Sequence, residues 1–389
     1  MRALEQIAAV TLLGLRTIPN RLGASLVVVV GIACVVGVFI SILSISAGYM
    51  ETIAKTGRGD RAIVMSEGSL FEYGSFISRA NALTIADAPG IKKTEGGRPI
   101  ASADTMAFVV MPKKKNGLDA YVGVRGVGPE GLALLPEIKL TGGRMFNAGA
   151  RELIVGRSAQ AEFEGFDVGS LVSLPEGDWT VTGSFESNGD ARESELIADS
   201  DTLLSAMRAN TYKSVRVLLD SPDALDQFKE ALASNPTLAV DVVRETEYLA
   251  KQSEWLHDFL TVIAYVVGGI MGLGATFGAL NTMYSAVSAR AIEMATLRAL
   301  GFGAGPVVIS VLAEAVLLAL SGAVIGVGAA WLAFNGNAHM VGSLVFTLTI
   351  TPALVGLGVA LACALGLIGG LFPAIRVARV PVAVALRAR

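Results

Sequence analysis

Few residues in this chain could do covalent or acid–base chemistry, and their spacing argues against it. The two histidines, His257 and His339, lie far apart, and no His-Glu-x-x-His or Gly-x-Ser-x-Gly occurs. There is no Gly-x-x-x-x-Gly-Lys-Ser/Thr, so the chain carries no P-loop and is not itself an ATPase of that kind. Cys34 and Cys363 both fall within apolar runs, which offers neither a disulfide framework nor a thiolate metal site. Glu162 with Glu164, and Asp190 with Glu193 and Glu195, read as solvated faces or loops. Lys113-Lys114-Lys115 reads as a charged hairpin tip rather than an anion site. No metal, cofactor or nucleic acid is expected on this chain.

Two features are more informative. Glu314 is the one carboxylate inside a long apolar stretch, where burial at mid-membrane would cost roughly 2.5–3.5 kcal/mol. It lies near Pro306, close to a headgroup level. A structural partner such as Arg298 or Arg376 accounts for it as well as a functional role does. The second feature is the segment from Arg290 to Gly301. Arg290 and Met294, and Glu293 and Leu297, occupy neighbouring helical positions, and Gly301, Gly303 and Gly305-Pro306 end that helix and start the next. A short charged helix with an apolar edge is what a docking partner could grip. An ordinary loop helix held by one Arg–Glu pair is the plainer reading.

The elements that position these residues follow from hydropathy and charge. The chain has 389 residues, 52% hydrophobic and 17% charged, with a mean hydropathy of +0.58, well above soluble proteins. No charged residue occurs in 22–50, 259–289 or 315–375. A bilayer core needs roughly 20 apolar helical residues. Four spans are therefore predicted: 22–50, the membrane part of 244–289, 306–334 and 350–373. Asn335-Gly336-Asn337 turns the last long run, leaving 335–349 as a loop. The first run is too long for a signal-peptide core.

Charge sets the orientation. Outside 51–258 there are nine basic residues, Arg2, Arg16, Arg21, Arg290, Arg298, Arg376, Arg379, Arg387 and Arg389, against Glu5, Glu293 and Glu314. Both termini and the segment 290–305 are thus expected on the cytoplasmic side, with 51–243 and 335–349 outside. Residues 1–21 carry a helical apolar pattern that suits a helix lying on the cytoplasmic leaflet, against membrane lipids, and 374–389 form a basic tail. Tyr49, Trp255 and Trp331 sit at the expected outer helix ends.

The segment 51–243 reads as mixed α and β, with βα units flanking a β-rich insertion near 130–195. Short strands are expected at 62–65, 105–111, 121–127, 153–155, 171–174, 179–185 and 240–243, and helices near 75–88 and 221–234. From Arg244 the pattern turns helical. Tyr248, Leu249, Trp255, Leu256, Phe259 and Leu260 form a heptad-like stripe before the membrane is reached. A helix over 244–289 would be about 69 Å long, against roughly 30 Å of hydrocarbon. Such a stalk would be a rigid rod, unless it breaks near Ser253.

The segment Arg290–Gly301 resembles the R-x-x-E-I-A-x-L-R-A-L-G signature of MacB/FtsX-like ABC transporter permeases, the type VII ABC proteins, with Met294 in place of the usual isoleucine. Phe372-Pro373-Ala374 to Arg387 is similar to the family's P-A-x-R-A-A-R-x-x-P-x-x-A-L-R ending. Gly142-Gly143-Arg144 to Ser184 resembles a stretch of its outer domain, and Glu314 matches an acidic residue early in its third span. The resemblance covers essentially the whole chain.

It implies an integral membrane fold of four helices with a porter domain and a sabre-like insertion between the first and second. It also implies a non-catalytic subunit of the bacterial cytoplasmic (inner) membrane. Arg290, Glu293, Leu297, Arg298 and Gly301 match the region coupled to the ATPase. Two copies of a separate ABC ATP-binding subunit would hold ATP and Mg. The permease would pair as a homodimer or with a paralogue, with a periplasmic adaptor and outer-membrane channel as further candidates. The implied activity is export or extraction of an amphiphile through movement of the outer domains. The alternatives are an FtsX-like transducer that activates a cell-wall hydrolase, and an adaptor or sensor with no ATPase.

Overall fold

In lipid each backbone N–H and C=O must be satisfied within its own segment, so long apolar runs become helices. Among the described residues, four helices are long and apolar enough to cross a membrane. They are α1 (Leu22–Thr56), α6 (Glu245–Ala289), α8 (Ala304–Phe334) and α9 (Pro352–Arg379). The structure is a computed structural model and describes residues 6, 11–12, 22–174, 177–221 and 223–379. The helix expected over 1–21 and the tail beyond Arg379 lie outside the described residues.

The helices overrun the charge-free runs for local reasons. Helix α1 continues past Glu51 to Thr56, where Glu51 and Lys55 pair across one turn at 2.8 Å. Helix α8 begins before Pro306, which falls in the first turn, where no intrahelical donor is required. Helix α9 continues through Pro373 to Arg379. Helix α6 runs unbroken past Ser253, whose hydroxyl donates to the Ala250 carbonyl at 2.9 Å.

The chain divides into two compact units, one of Met1–Ala47, His257–Asn337 and Leu348–Arg389, the other of Gly48–Leu256 and Ala338–Thr347. In the first unit the small residues are packing points between helices of the same chain. A Cβ on Gly322 of α8 would lie 2.7 Å from the Val29 carbonyl oxygen of α1. One on Gly366 of α9 would lie 2.7 Å from the Ala319 methyl. Without a hydrophobic force between helices in lipid, such close approach is what holds a bundle together. Ser46 and His257 add a 2.8 Å hydrogen bond between α1 and α6.

In the second unit, between the first and second spans, lies a mixed α/β domain. Its strands are β1 (Arg61–Ser66), β2 (Ile77–Ser78), β3 (Ala101–Pro112), β4 (Asp119–Val127), β5 (Lys139–Gly143), β6 (Glu152–Gly156), β7 (Leu171–Leu174), β8 (Gly177–Glu186), β9 (Leu196–Asp199), β10 (Thr211–Tyr212), β11 (Ser214–Leu218) and β12 (Val240–Arg244). Ten of them form one sheet in the order β12-β1-β11-β3-β4-β9-β6-β8-β5, with β7 on β8, and β2 pairs with β10 apart from it. Antiparallel pairing of β3 and β4 makes a long hairpin, with Lys113-Lys114-Lys115 at its tip; Lys113 meets Glu162 at 3.6 Å. The β-rich stretch packs Trp179, Phe163 and Phe166 into a core shared with Val109 of β3 and with Val122 and Val124 of β4. It is not a separate sheet, because β9 pairs with β4 in parallel. A second core gathers Phe228, Ile85 and Ile77 beneath the two short helices at 79–86 and 224–233.

The loop over 335–349 is a hairpin, β13 (Ala338–Val341) and β14 (Leu344–Thr347), closed by Gly342-Ser343 with Gly342 at φ +63. It belongs to the second unit. Ser194 Oγ accepts from Val345 N at 2.9 Å and donates to Val345 O at 3.1 Å, and the Tyr49 and Phe346 rings meet edge to face.

Candidate functional site

The segment after α6 folds as α7 (Ala291–Ala299). Gly301, at φ +95, lets the chain leave this helix. Its N–H donates to Arg298 O and that of Phe302 to Leu297 O, both at 3.1 Å, which satisfies the last carbonyls. One face of α7 is buried through Met294 and Ala295, with Met294 packed on Val287, Val307 and Ala374. The opposite face exposes Ile292, Glu293, Thr296 and Leu300.

The expected coupling residues therefore divide. Glu293 and Gly301 are exposed, Leu297 and Arg298 are half-buried, and Ile292 and Leu300, not singled out by the sequence reading, supply the exposed apolar edge. Arg290 faces inward. Its Nε is 3.4 Å from Glu293 Oε2, and its Nη1 is 3.4 Å from Glu314 Oε2. The carboxylate inside α8 is thus paired with Arg290, a residue of the coupling segment itself.

The stalk residues divide as well. Tyr248 is buried against Ile63 and Met65, with Leu249 beside it, and its hydroxyl accepts the Glu72 N–H at 3.1 Å. Leu256 is half-buried, while Trp255 and Phe259 are exposed. The heptad-like stripe is therefore not one buried seam, because the first turns of α6 lie on β1 and the later ones do not.

At the start of α6 lies a buried ionic junction. Arg192 donates from Nη1 to Thr56 O, the end of α1, at 2.9 Å and from Nη2 to Glu245 Oε1, the start of α6, at 2.8 Å. Ala191 N donates to Thr56 Oγ1 at 2.9 Å, and Arg61 Nε lies 3.1 Å from Glu245 Oε2. A second set adjoins it. Arg125 is bidentate on Glu195 at 2.7 and 2.8 Å, and Arg216 meets Glu72 at 2.9 Å and Asp104 at 3.2 Å.

Buried charges persist only when paired and hydrogen-bonded, and the protonation states here follow from that. Burial pushes the Glu72 carboxyl up, but the guanidiniums of Arg125 and Arg216 outweigh it and hold it well below the carboxylate range. Burial wins at Asp104 and Asp190, whose carboxyls are raised, and it draws Arg61 down to about 10.

The acidic positions Asp190, Glu193 and Glu195, expected to be solvated, are instead buried or nearly so. Asp190 caps the turn Ala191–Ser194, and Glu193 accepts from Ser187 N and Gly189 N, both at 2.8 Å. The sequence did carry a signal for this network. Arg125 stands between Val124 and Gly126, and Arg216 between Val215 and Val217, each a lone cation in an apolar strand. Where such a residue is buried, it needs a partner.

These features define a class: a four-span membrane protein whose large mixed α/β domain is inserted between the first two spans. Residues 24–235 match the model of a MacB-like periplasmic core domain, and residues 265–382 that of an FtsX-like permease C-terminal region. The chain belongs to the MacB/FtsX-like permeases of ABC transporters. Among solved structures it is similar to the extracellular domain of the noncanonic ABC-type transporter YknZ from Gram-positive bacteria. That similarity is 16% in sequence with a TM-score of 0.36, and covers 47% of this chain and 99% of that one. No curated protein sequence matches the chain. The family is the permease component of such transporters and associates with an ABC ATPase subunit.

Proposed function

We propose that this chain is a mechanotransmitting permease, which turns ATP-driven movement of a partner into movement of its inserted domain and so exports or extracts an amphiphile. One observation carries the reading: helix α6 is continuous, its first residue Glu245 held by Arg192 and Arg61, its last residue, Ala289, two positions before α7 begins. A helix of 45 residues is about 68 Å long, so its two ends cannot move independently without a bend.

In this reading the exposed face of α7 receives the ATPase, with Glu293, Ile292 and Leu300 as its contacts and Met294 as its anchor. Arg290 joins α7 to Glu314 of α8, so force on α7 reaches two helices. Arg192 holds the end of α1 and the start of α6 to the same turn of the inserted domain. Two copies of the ATP-binding subunit, carrying ATP and Mg, would serve a pair of permeases in the cytoplasmic membrane, with both termini on the ATPase side. A homodimer or a paralogous pair, with or without an adaptor, would fit that scheme.

The test is reconstitution in liposomes with the cognate ABC ATPase and a distance probe between spin labels at exposed positions Lys92 and Glu230. ATP should change the distances between labels on paired chains. Unchanged distances during steady ATP hydrolysis would reject the transmission reading.

A further inference from the structure

Helices α6 and α9 meet along a seam in the first unit. A Cβ on Gly369 of α9 would lie 2.8 Å from the Ala279 methyl of α6, and one on Gly272 of α6 would lie 3.2 Å from Leu365 Cδ2. Beside that contact the chain leaves a crevice of about 260 Å³, bordered by Gly269, Leu273 and Thr276 of α6 and by Leu361 and Ile368 of α9. A Cβ on Gly269 would meet nothing within 4 Å, so the crevice is open there. All of these residues lie in the charge-free runs 259–289 and 315–375, at the depth of the hydrocarbon.

The seam leads to cations at one end. Ile368, Phe372 and Arg376 recur every fourth residue on α9 and are all exposed, and Arg379 follows on the same face. Thr276, Leu280 and Tyr284 recur in the same way on α6 and are half-buried. The two faces meet where the Arg376 guanidinium stands 5.5 Å from the centre of the Tyr284 ring. From Leu361 to Arg376 the helix rises about 22 Å, enough to cross half of the roughly 30 Å hydrocarbon core. Among the described residues no carboxylate pairs with Arg376 or Arg379, while Glu293 and Glu314 are both met by Arg290. A guanidinium over a ring keeps its edge N–H groups for other acceptors, and that fork fits phosphate oxygens.

We propose that the α6–α9 seam binds an anionic phospholipid, with its phosphate at Arg376 and Arg379 and one acyl chain along Ile368 and Phe372 to the crevice at Gly269. The crevice asks for an apolar chain, and the unpaired cations ask for a negative headgroup. Free phosphate meets only the second demand, and a zwitterionic lipid chiefly the first. A second copy of the chain laid on this face at the same depth would bring its own arginines to the same level, like charge beside like. Binding is independent of the transmission reading; only the leaflet, the cytoplasmic one, rests on the orientation given there.

The test uses the full chain in neutral detergent without ATPase or nucleotide, so that its failure leaves the transmission reading untouched. Phosphatidylglycerol and phosphatidylcholine with identical acyl chains are offered in equal amounts, and the lipid retained on the chain is read by native mass spectrometry. Phosphatidylglycerol should be retained about tenfold or more over phosphatidylcholine. Arg376→Gln/Arg379→Gln should bring the two lipids to near parity at unchanged Tm, since both side chains are exposed. Gly269→Leu, which fills the crevice, should lower retention of both lipids about fivefold, the scale of a methylene or two left without a seat, and keep the preference. Excess inorganic phosphate should leave the lipid in place. No retained lipid overturns the site. Equal retention of the two lipids, or a preference that survives loss of both arginines, overturns the headgroup assignment. Undiminished retention in Gly269→Leu, or displacement by phosphate, overturns the acyl-chain seat.

Discussion

Arg192 and Glu245 form a buried ion pair, Nη2 to Oε1 at 2.8 Å, that fastens the first residue of the longest helix to a turn of the inserted domain. The same guanidinium donates to Thr56 O at the end of the first helix. One side chain thus holds the ends of two membrane helices, in a place where leaving one charge without the other is costly.

Arg192→Met should therefore lower the stability of the inserted domain by roughly 3 kcal/mol, because Asp190 loses a buried counter-ion and Glu245 keeps only Arg61 of its two cations. The double variant Arg192→Met/Glu245→Gln should recover part of that loss. Denaturant unfolding of the wild type, both single variants and the double variant measures the coupling. Simple additivity would mean that the pair is not an energetic unit.

Acid titration separates Glu72 from Asp104. Glu72 has a depressed folded pKa, so its contribution is present above its ordinary value of 4.5 and is lost as pH falls through the folded value. Asp104 has a raised folded pKa, so its contribution is present below 3.8 and is lost as pH rises through the folded value. Glu72→Gln should cost about 3 kcal/mol at pH 7, and the deficit should shrink below pH 4.5. Asp104→Asn should cost more at low pH than at neutral pH, where it removes a strained charge. Unfolding midpoints between pH 7 and pH 3 report both signs.

On α7, Ile292→Asp or Leu300→Asp should abolish stimulation of the partner ATPase while leaving the inserted domain folded, since both side chains are exposed. Met294→Asp should instead destabilise the helix ends it packs on. Co-purification and ATPase rates, with circular dichroism as the folding control, distinguish the two. Normal stimulation in both exposed-face variants would remove α7 from the docking surface.

Leu256→Pro places a proline inside α6, at a cost of about 3 kcal/mol to that helix. The expected outcome is loss of ATP-driven movement of the inserted domain with basal ATPase retained. Full movement would show that α6 need not be rigid.

Within the bundle, Gly322→Val would put methyls against the Val29 carbonyl and Ile32, and should cost about 1–3 kcal/mol by overpacking. Retained thermal stability of the chain in detergent would contradict the close α1–α8 approach.

Much of this protein follows from its sequence alone. Apolar runs without charge must be helical in lipid, so the four spans and the domain between the first two were legible from hydropathy, and the helix boundaries only to within about two turns. The break at Gly301 was legible because a positive φ favours glycine. Strands such as 105–111 and 121–127 were legible as apolar runs on either side of the turn signal from Lys113 to Gly117. Arg290 to Gly301 also stood out, as a charged helix between two apolar ones.

What tertiary structure decided is which side chains meet. Glu314 could pair with any cation brought close by the fold, and Arg290 is one that it meets. Asp190, Glu193 and Glu195 look like a solvated acidic patch in one dimension, yet packing buries them or nearly so. Arg192, Thr56 and Glu245 lie at separations that no local pattern encodes, and only the folded chain brings them within hydrogen-bond reach. Periodicity is a property of neighbours along the chain. Charge pairing and cavities depend on neighbours in space, so the helices were readable and the junction was not.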